Sequence, residues 1–380
     1  MNKIIAFIAL ISLGFIAEAQ EKGIIDIFQK GQDGYACFRI PAIVQSKSGT
    51  LLAFAEARKS SCSDTGNIDL VAKRSEDGGK TWSHLISVWD DGDNVCGNPA
   101  PIVDQKTGRI ILVTCWNPGK YSERQIMDKI NAECVRKVYV LYSDDDGKSW
   151  SQPKEITPTV KLPEWGWYAT GPCHGIQLQN KSHRGRLVVS ANHSTPGTKE
   201  YHSHLIYSDN SGATWKLGSI VSKSGGNESS VVELQNGDLM LNMRNYNRSE
   251  SKSRSYAISK DGGETLSVMK YIPELIEPVC QGSTLNYTKR GKISSNILFS
   301  NPASTDNREK MTLKLSIDNG KTWPFARLIY SGPSAYSDLV NLKGGNIGLL
   351  FEYGENDAYE KIGFTIVSMT EIKSSGFSNK

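Results

Sequence analysis

Apolar residues in this chain come in short runs, and clusters of Gly, Asn, Asp and Ser separate them. Residues 51–55, 110–114, 138–142, 187–190 and 347–351 are such runs. Short apolar segments bounded by turn formers predict β-strands. No long stretch carries the periodicity of an amphipathic helix, and only residues 120–136 are expected to hold a short one. No low-complexity linker interrupts the pattern, so a single all-β domain is the simplest reading.

A repeat sets the spacing of these strands. Ser75-Glu76-Asp77-Gly78-Gly79-Lys80-Thr81-Trp82 is its first copy, and residues 143–150, 208–215 and 316–323 follow it closely. Residues 259–266 form a weaker copy, with Leu266 in the Trp position. The Asp side chain can accept backbone N–H bonds across a turn, and the glycine takes a conformation other residues avoid. Each box is therefore expected to be a local turn device. Copies recur every 50 to 70 residues or so. That is room for one four-stranded sheet per copy, which suggests a β-propeller.

Composition narrows the class. Lys and Arg exceed Asp and Glu by 44 to 40, a net charge of +4, and no basic run is interleaved with aromatics, so a nucleic-acid partner is not expected. Met1-Asn2-Lys3, the apolar residues 4–16 and Ala17-Glu18-Ala19 read as a secretory leader cut before Gln20. Residues 1–19 are thus the expected signal peptide and residues 20–380 the expected domain. The mature chain is expected to be exported, to the periplasm or beyond, without a membrane span. Seven cysteines are an odd number for an exported protein. None forms a Cys-x-x-Cys, and the sequence does not say which of them pair.

The chemistry centres on Cys37-Phe38-Arg39-Ile40-Pro41-Ala42-Ile43-Val44. Simple alternation puts Phe38, Ile40 and Ala42 on one face and Arg39 on the other. Pro41 cannot donate to a ladder, so the segment is expected at a sheet edge. A guanidinium in an apolar strand needs an acidic partner or an anionic ligand. The turn boxes together with Phe-Arg-Ile-Pro resemble the sialidase (neuraminidase) family, over nearly the whole chain after the leader. The resemblance implies a six-bladed propeller with a central site. It also implies exo-α-sialidase activity on sialylated glycans, glycoproteins or glycolipids, without a cofactor, by a monomer.

It further implies roles for particular residues. Arg39, Arg244 and Arg308 match the arginine triad that holds the substrate carboxylate, which charge-assisted contacts suit. Tyr336 matches the nucleophile and Glu228 its base, since a phenol needs one near neutral pH. Asp64, in a Gly/Ser-rich loop, matches the general acid/base, with Asp69 the competing residue inside the next strand. Arg58 resembles a sugar-contacting position, and Asn98 stands where the family often has an Asp against the ring's O4. Glu352 matches the acid that holds the first arginine. Trp116, Trp165, Trp167 and Tyr168 are expected either on the pocket rim or in the core.

His202-x-His204 has strand spacing but no third ligand nearby in sequence, so no metal site is expected there. Asn192, Asn227, Asn247 and Asn286 begin glycosylation acceptor sequences. Two rival functions use much of the same pattern. One is a trans-sialidase or intramolecular trans-sialidase. The other is a non-enzymatic sialic-acid-binding or sorting-receptor propeller, which is expected to lack the Asp-Glu-Tyr set.

Overall fold

A computed structural model describes residues 23–288 and 291–374. The expected leader, residues 1–19, lies outside them. The architecture is all-β. Helix among the described residues is confined to short pieces such as Glu123–Met127, Thr157–Val160 and Met369–Ser374, and the first lies where one was expected. No helix among the described residues is long and apolar enough to cross a membrane.

The strands make four sheets, within which six antiparallel groups can be traced. Group one holds Cys37–Gln45, Leu51–Arg58, Ile68–Ser75 and Ile86–Trp89. Group two holds Val95–Val103, Ile110–Asn117, Lys137–Ser143 and Lys154–Glu155. Group three starts with the split strand Tyr168–Thr170 and Ile176–Gln177, then Leu187–Ser194, Tyr201–Ser208 and Lys216–Ile220. Group four holds Gly226–Glu233, Leu239–Asn245, Ser253–Ser259 and Lys270–Ile276. Group five holds Ser283–Asn286, Ile297–Pro302, Glu309–Ser316 and the first half of the long strand Phe325–Asn341. The second half of that strand opens group six, with Ile347–Tyr353, Lys361–Val367 and, from the start of the chain, Ile25–Gln29.

Six apolar cores lie between successive groups. Phe54, Leu52 and Ala42 of group one pack with Ile110, Leu112 and Leu141 of group two. The same layering continues round the molecule. It returns where Leu350 and Phe364 of group six meet Leu51, Ala53 and Val71 of group one.

Each turn box joins the third strand of a group to its fourth. In the first, Asp77 Oδ1 accepts from the amides of Lys80 and Thr81, and Oδ2 accepts from the Thr81 hydroxyl. The weak copy keeps these bonds through Asp261 and Thr265, and the third copy makes the Thr214 amide bond through Asn210. Group six takes its fourth strand from the chain's beginning, so it has no such turn and needs no box. No residue of these turns lines the cavity described below. Asp77→Ala is therefore expected to lower the melting temperature and leave the turnover of folded protein unchanged. A normal melting temperature with lost turnover in calorimetry and kinetics would refute that division.

One strand departs from simple alternation. Arg39 pairs with Glu56 but Ala42 pairs with Phe54, so the first strand carries one extra residue at Ile40-Pro41. Ile40 has φ +60°. This bulge puts Phe38 opposite Ala57 and Ala42 opposite Phe54, on different faces. The expected shared face of Phe38, Ile40 and Ala42 is thus corrected: the three enter three separate clusters. The edge position of the strand holds, since it ends its sheet.

Candidate active site

The same device recurs in the first strand of three other groups. Register slips by one residue between Gly97 and Ala100, between Gly226 and Ser229, and between Ser334 and Ser337. The bulged segments carry Asn98, Glu228 and Tyr336. A bulge turns a side chain out of the strand's alternation and toward the strand end. Arg39 stands directly before the bulge at Ile40-Pro41, so four of the expected site residues lie in or beside one.

They meet in one cavity of about 230 Å³. Arg39, Arg58, Asp64, Asn98, Glu228, Arg244, Arg308 and Tyr336 all line it. Glu352 stands behind Arg39 with no exposed surface. Residues as far apart in the chain as Arg39 and Glu352, separated by 313 positions, are therefore neighbours, as the motifs implied.

Tyr336 and Glu228 form a close pair. The phenol lies 2.6 and 2.8 Å from the two Glu228 oxygens. Arg244 Nη1 donates to Glu228 at 2.6 Å and lies 3.2 Å from the phenol oxygen. The guanidinium groups of Arg39 and Arg308 stand 5.1 and 5.5 Å from the Tyr336 ring centre. Burial, and then the Glu228 charge, push the phenol well above its ordinary range, although Arg244 and Arg308 oppose them. The resting phenol is neutral, with a carboxylate placed to take its proton.

Glu352 builds the frame under this pair. Its carboxylate accepts from Arg39 Nε and Nη2, each at 3.1 Å, from the Ile40 amide at 2.8 Å and from the Tyr336 amide at 3.0 Å. One buried acid thus ties two bulges together.

At the mouth, Asp64 is two-thirds exposed and lies 2.7 Å from Arg58 Nη1 and 3.8 Å from Arg39 Nη1. Burial in the cleft would raise its pKa, but Arg58 and then Arg39 outweigh it and hold the carboxyl below the usual carboxylate range. Asp69 is fully buried, accepts from the Tyr35 hydroxyl at 2.7 Å, and is not among the residues that line the cavity. The strand position that made it a weaker candidate also removes it.

Several lining residues belong to no motif: Glu56, Glu123, Arg136, Tyr246 and Tyr359. Glu56 supports two neighbours, accepting from Arg58 at 2.6 Å and from the Asn98 backbone N–H at 2.8 Å. Tyr359 lies under Arg39 at 3.9 Å and accepts from Arg308 at 2.7 Å. Arg136 donates to Asn98 Oδ1, Asn117 and the Tyr168 carbonyl, and lies over the Trp167 ring at 3.8 Å. Asn98 Oδ1 thus accepts from Arg136, and its side-chain amide nitrogen can donate to a ligand. Of the aromatic residues placed on the rim or in the core by sequence, Trp167 lines the cavity. Trp165 stacks on His193, Tyr168 is fully buried, and Trp116 bonds to Asp91.

His204 bonds to His193 at 3.1 Å, and no group of three or more potential metal ligands occurs among the described residues. Asn192, Asn227 and Asn286 of the acceptor sequences are buried, and the first two line the cavity wall. Cys37 and Cys62 are joined by a disulfide, and Cys96, Cys115, Cys134, Cys173 and Cys280 are buried thiols.

The cavity can bind an anion through three converging guanidiniums. It can also present a neutral phenol with an attached base, and a separate carboxyl at the mouth. Residues 49–349 match the BNR repeat-like domain family. The chain is similar to a sialidase of Bacteroides fragilis, 31% identical over 92% of this chain and 68% of that protein. It is also 31% identical to a sialidase of Micromonospora viridifaciens over 88% of this chain, though it spans only 52% of that relative. Among solved structures, the Hadza microbial sialidase Hz136 superposes with a TM-score of 0.82 at 30% identity, covering 92% of this chain and 69% of that one.

Proposed function

The chain belongs to the sialidase family as a glycoside hydrolase of exo-α-sialidase type, and on that premise we propose that it cleaves terminal sialic acid from glycans with retention, through a covalent bond to Tyr336. The observation that carries this reading is the Tyr336 phenol held between both oxygens of Glu228, beneath Arg39, Arg244 and Arg308. The three arginines bind the carboxylate that sialic acid bears on its anomeric carbon. A carboxylate nucleophile would be repelled by that anion, whereas a phenol approaches neutral. Glu228 takes the phenol proton as the oxygen attacks. Asp64 protonates the departing glycosidic oxygen, then deprotonates the water that releases the sugar. Sialidases with a tyrosine nucleophile fall outside the two-carboxylate distance rule, so spacing of acids is no guide here.

We read the fold as a six-bladed propeller. Its support is the six antiparallel groups, the six cores between them, and the pairing of Ile25–Gln29 with Lys361–Val367. Export is supported by the leader-like first residues and by the disulfide, which persists in oxidising compartments.

The test is hydrolysis of α2,3-, α2,6- and α2,8-linked sialosides followed by NMR. The α anomer of free sialic acid is expected as first product. An internal anhydro sugar, or transfer to another glycan, would replace hydrolysis with the rival reaction. First appearance of the β anomer would exclude the covalent route.

The charges also set a pH dependence. In the empty site Arg58 and Arg39 keep Asp64 ionised, which is the wrong form for an acid. A bound carboxylate competes for Arg39 and raises the Asp64 pKa. The alkaline limb of kcat, which reports the complex, is expected at higher pH than that of kcat/KM, which reports the free enzyme. Coincident limbs with an alcohol leaving group would refute this coupling.

A further inference from the structure

Asp64 sits on a loop that has little else to hold it. Residues 59–67 leave the strand Leu51–Arg58 and rejoin at Ile68–Ser75. The loop's base is closed by Lys59 N–H to Asn67 O at 3.1 Å and by Gly66 N–H to Gly119 O at 2.8 Å. Between these ties stand Ser60, Ser61, Cys62, Ser63, Asp64 and Thr65, which offer no large apolar side chain to the core. The side-chain bonds of its serines and threonine stay within the loop: the hydroxyls of Ser63 and Thr65 meet at 2.9 Å, Ser63 Oγ accepts from the Thr65 amide, and Ser61 Oγ accepts from the Ser63 amide. Cys62 is the exception, being bonded to Cys37. Cys37 is fully buried and lies two residues before Arg39.

Cys37 is also the cross-strand partner of Arg58. Arg58 Nη1 donates to the Cys62 carbonyl at 2.6 Å and meets Asp64 Oδ1 at 2.7 Å. The same loop segment is therefore gripped twice from one rung of the ladder, covalently through Cys37 and electrostatically through Arg58. Both grips converge on the carboxyl at the cavity mouth. Neither Cys37 nor Cys62 lines the cavity that holds the arginine triad and Tyr336.

We infer that Cys62, through its disulfide to Cys37, is a positioning residue for Asp64, so that proton donation to the leaving group depends on the oxidised pair while sialic-acid binding does not. The inference rests on Asp64 being the acid. Without the bond the loop samples other conformations, and the carboxyl spends less time within reach of the glycosidic oxygen. An external dithiol breaks the bond by exchange: the S–S bond becomes two thiols and the dithiol closes to its own disulfide. The five other described cysteines are already thiols and buried, so reduction acts on this pair.

The test compares the untreated enzyme, the dithiothreitol-reduced enzyme, the C37A/C62A variant and D64A. Each is assayed on an aryl sialoside, whose phenolate leaves without a proton, and on sialyllactose, whose alcohol needs one. Breaking the disulfide is expected to lower kcat/KM for sialyllactose roughly tenfold or more, a part of the roughly 10²–10⁴-fold that a positioned acid supplies. For the aryl sialoside, kcat/KM and inhibition by free sialic acid are expected to stay within about twofold. D64A should show the same selectivity, more steeply. Equal losses on both substrates would mean general damage to the fold and would overturn the inference. So would unchanged rates when mass spectrometry finds both thiols free. If D64A itself shows no dependence on the leaving group, the assignment of Asp64 is what fails. Reduction of folded wild-type protein keeps the comparison available if the double variant does not fold.

Discussion

Tyr336→Phe is expected to reduce turnover by on the order of 10³-fold or more, as loss of a nucleophile does, with the melting temperature nearly unchanged. The ring remains, so it still fills the space beneath Arg39 and Arg308 and packs with Ile40, Cys280, Ala335 and Ala358. What goes is the oxygen bonded to Glu228 and Arg244. Glu228 keeps its ion pair with Arg244, so no buried charge is orphaned. The wild-type enzyme should also be trapped by a sialic-acid donor with fluorine at the anomeric carbon and at its neighbour. The second fluorine disfavours positive charge on the ring and slows both steps, while the good leaving group lets the first proceed. Peptide mass spectrometry should then find the label on the peptide containing Tyr336. A label on Glu228 or Asp64 would reassign the nucleophile. Full turnover by the Phe variant would remove Tyr336 from the chemistry.

Glu352→Ala is expected to damage both stability and activity. Glu352 is fully buried, and its carboxylate accepts four bonds, two from Arg39 and two from backbone amides. Removing one partner of a buried ion pair costs about 3–5 kcal/mol, because the remaining charge loses its compensation. The amides of Ile40 and Tyr336 lose their acceptor as well, and both lie in bulges that ordinary strand pairing does not hold. A lower denaturant midpoint is expected, together with a raised KM and a reduced kcat, since Arg39 and Tyr336 are both displaced. Glu352→Gln should be milder in stability, because the amide oxygen still accepts bonds. An unchanged midpoint in Glu352→Ala would show that Arg39 finds another partner and that Glu352 is no frame.

Much of the candidate site was legible because its residues sit in local signatures. Phe38-Arg39-Ile40-Pro41 and the turn boxes are patterns of adjacent residues, and the resemblance they support carried Arg244, Arg308, Tyr336, Glu228, Asp64 and Glu352 with it. Glu56, Glu123, Arg136, Tyr246 and Tyr359 carry no such signature. Glu123 enters through a short helix, and Arg136 reaches the cavity from the loop after it. Their placement depends on how separate groups pack, which no local pattern records. The one signal within reach was the departure at position 98, since an amide there asks what replaces the usual carboxylate. Arg136, bonded to Asn98 and to other neutral acceptors, is part of the reply.

The amino-acid sequence by itself determined the strands, the turns and the chemical identity of the active groups. Those properties are short-range: apolar runs bounded by turn formers, and an Asp or Asn folding back on the amides of its own turn. Only the tertiary structure decided which way the active groups point and what they touch. The bulge at Ile40-Pro41 is a matter of register against Glu56 and Phe54, so alternation read along one strand misplaced Ala42. The pairing of Cys37 with Cys62, among seven cysteines, was equally beyond the sequence. It depends on a polar loop returning to the start of a buried strand, and such proximity exists only once the ladder between Cys37 and Arg58 has formed.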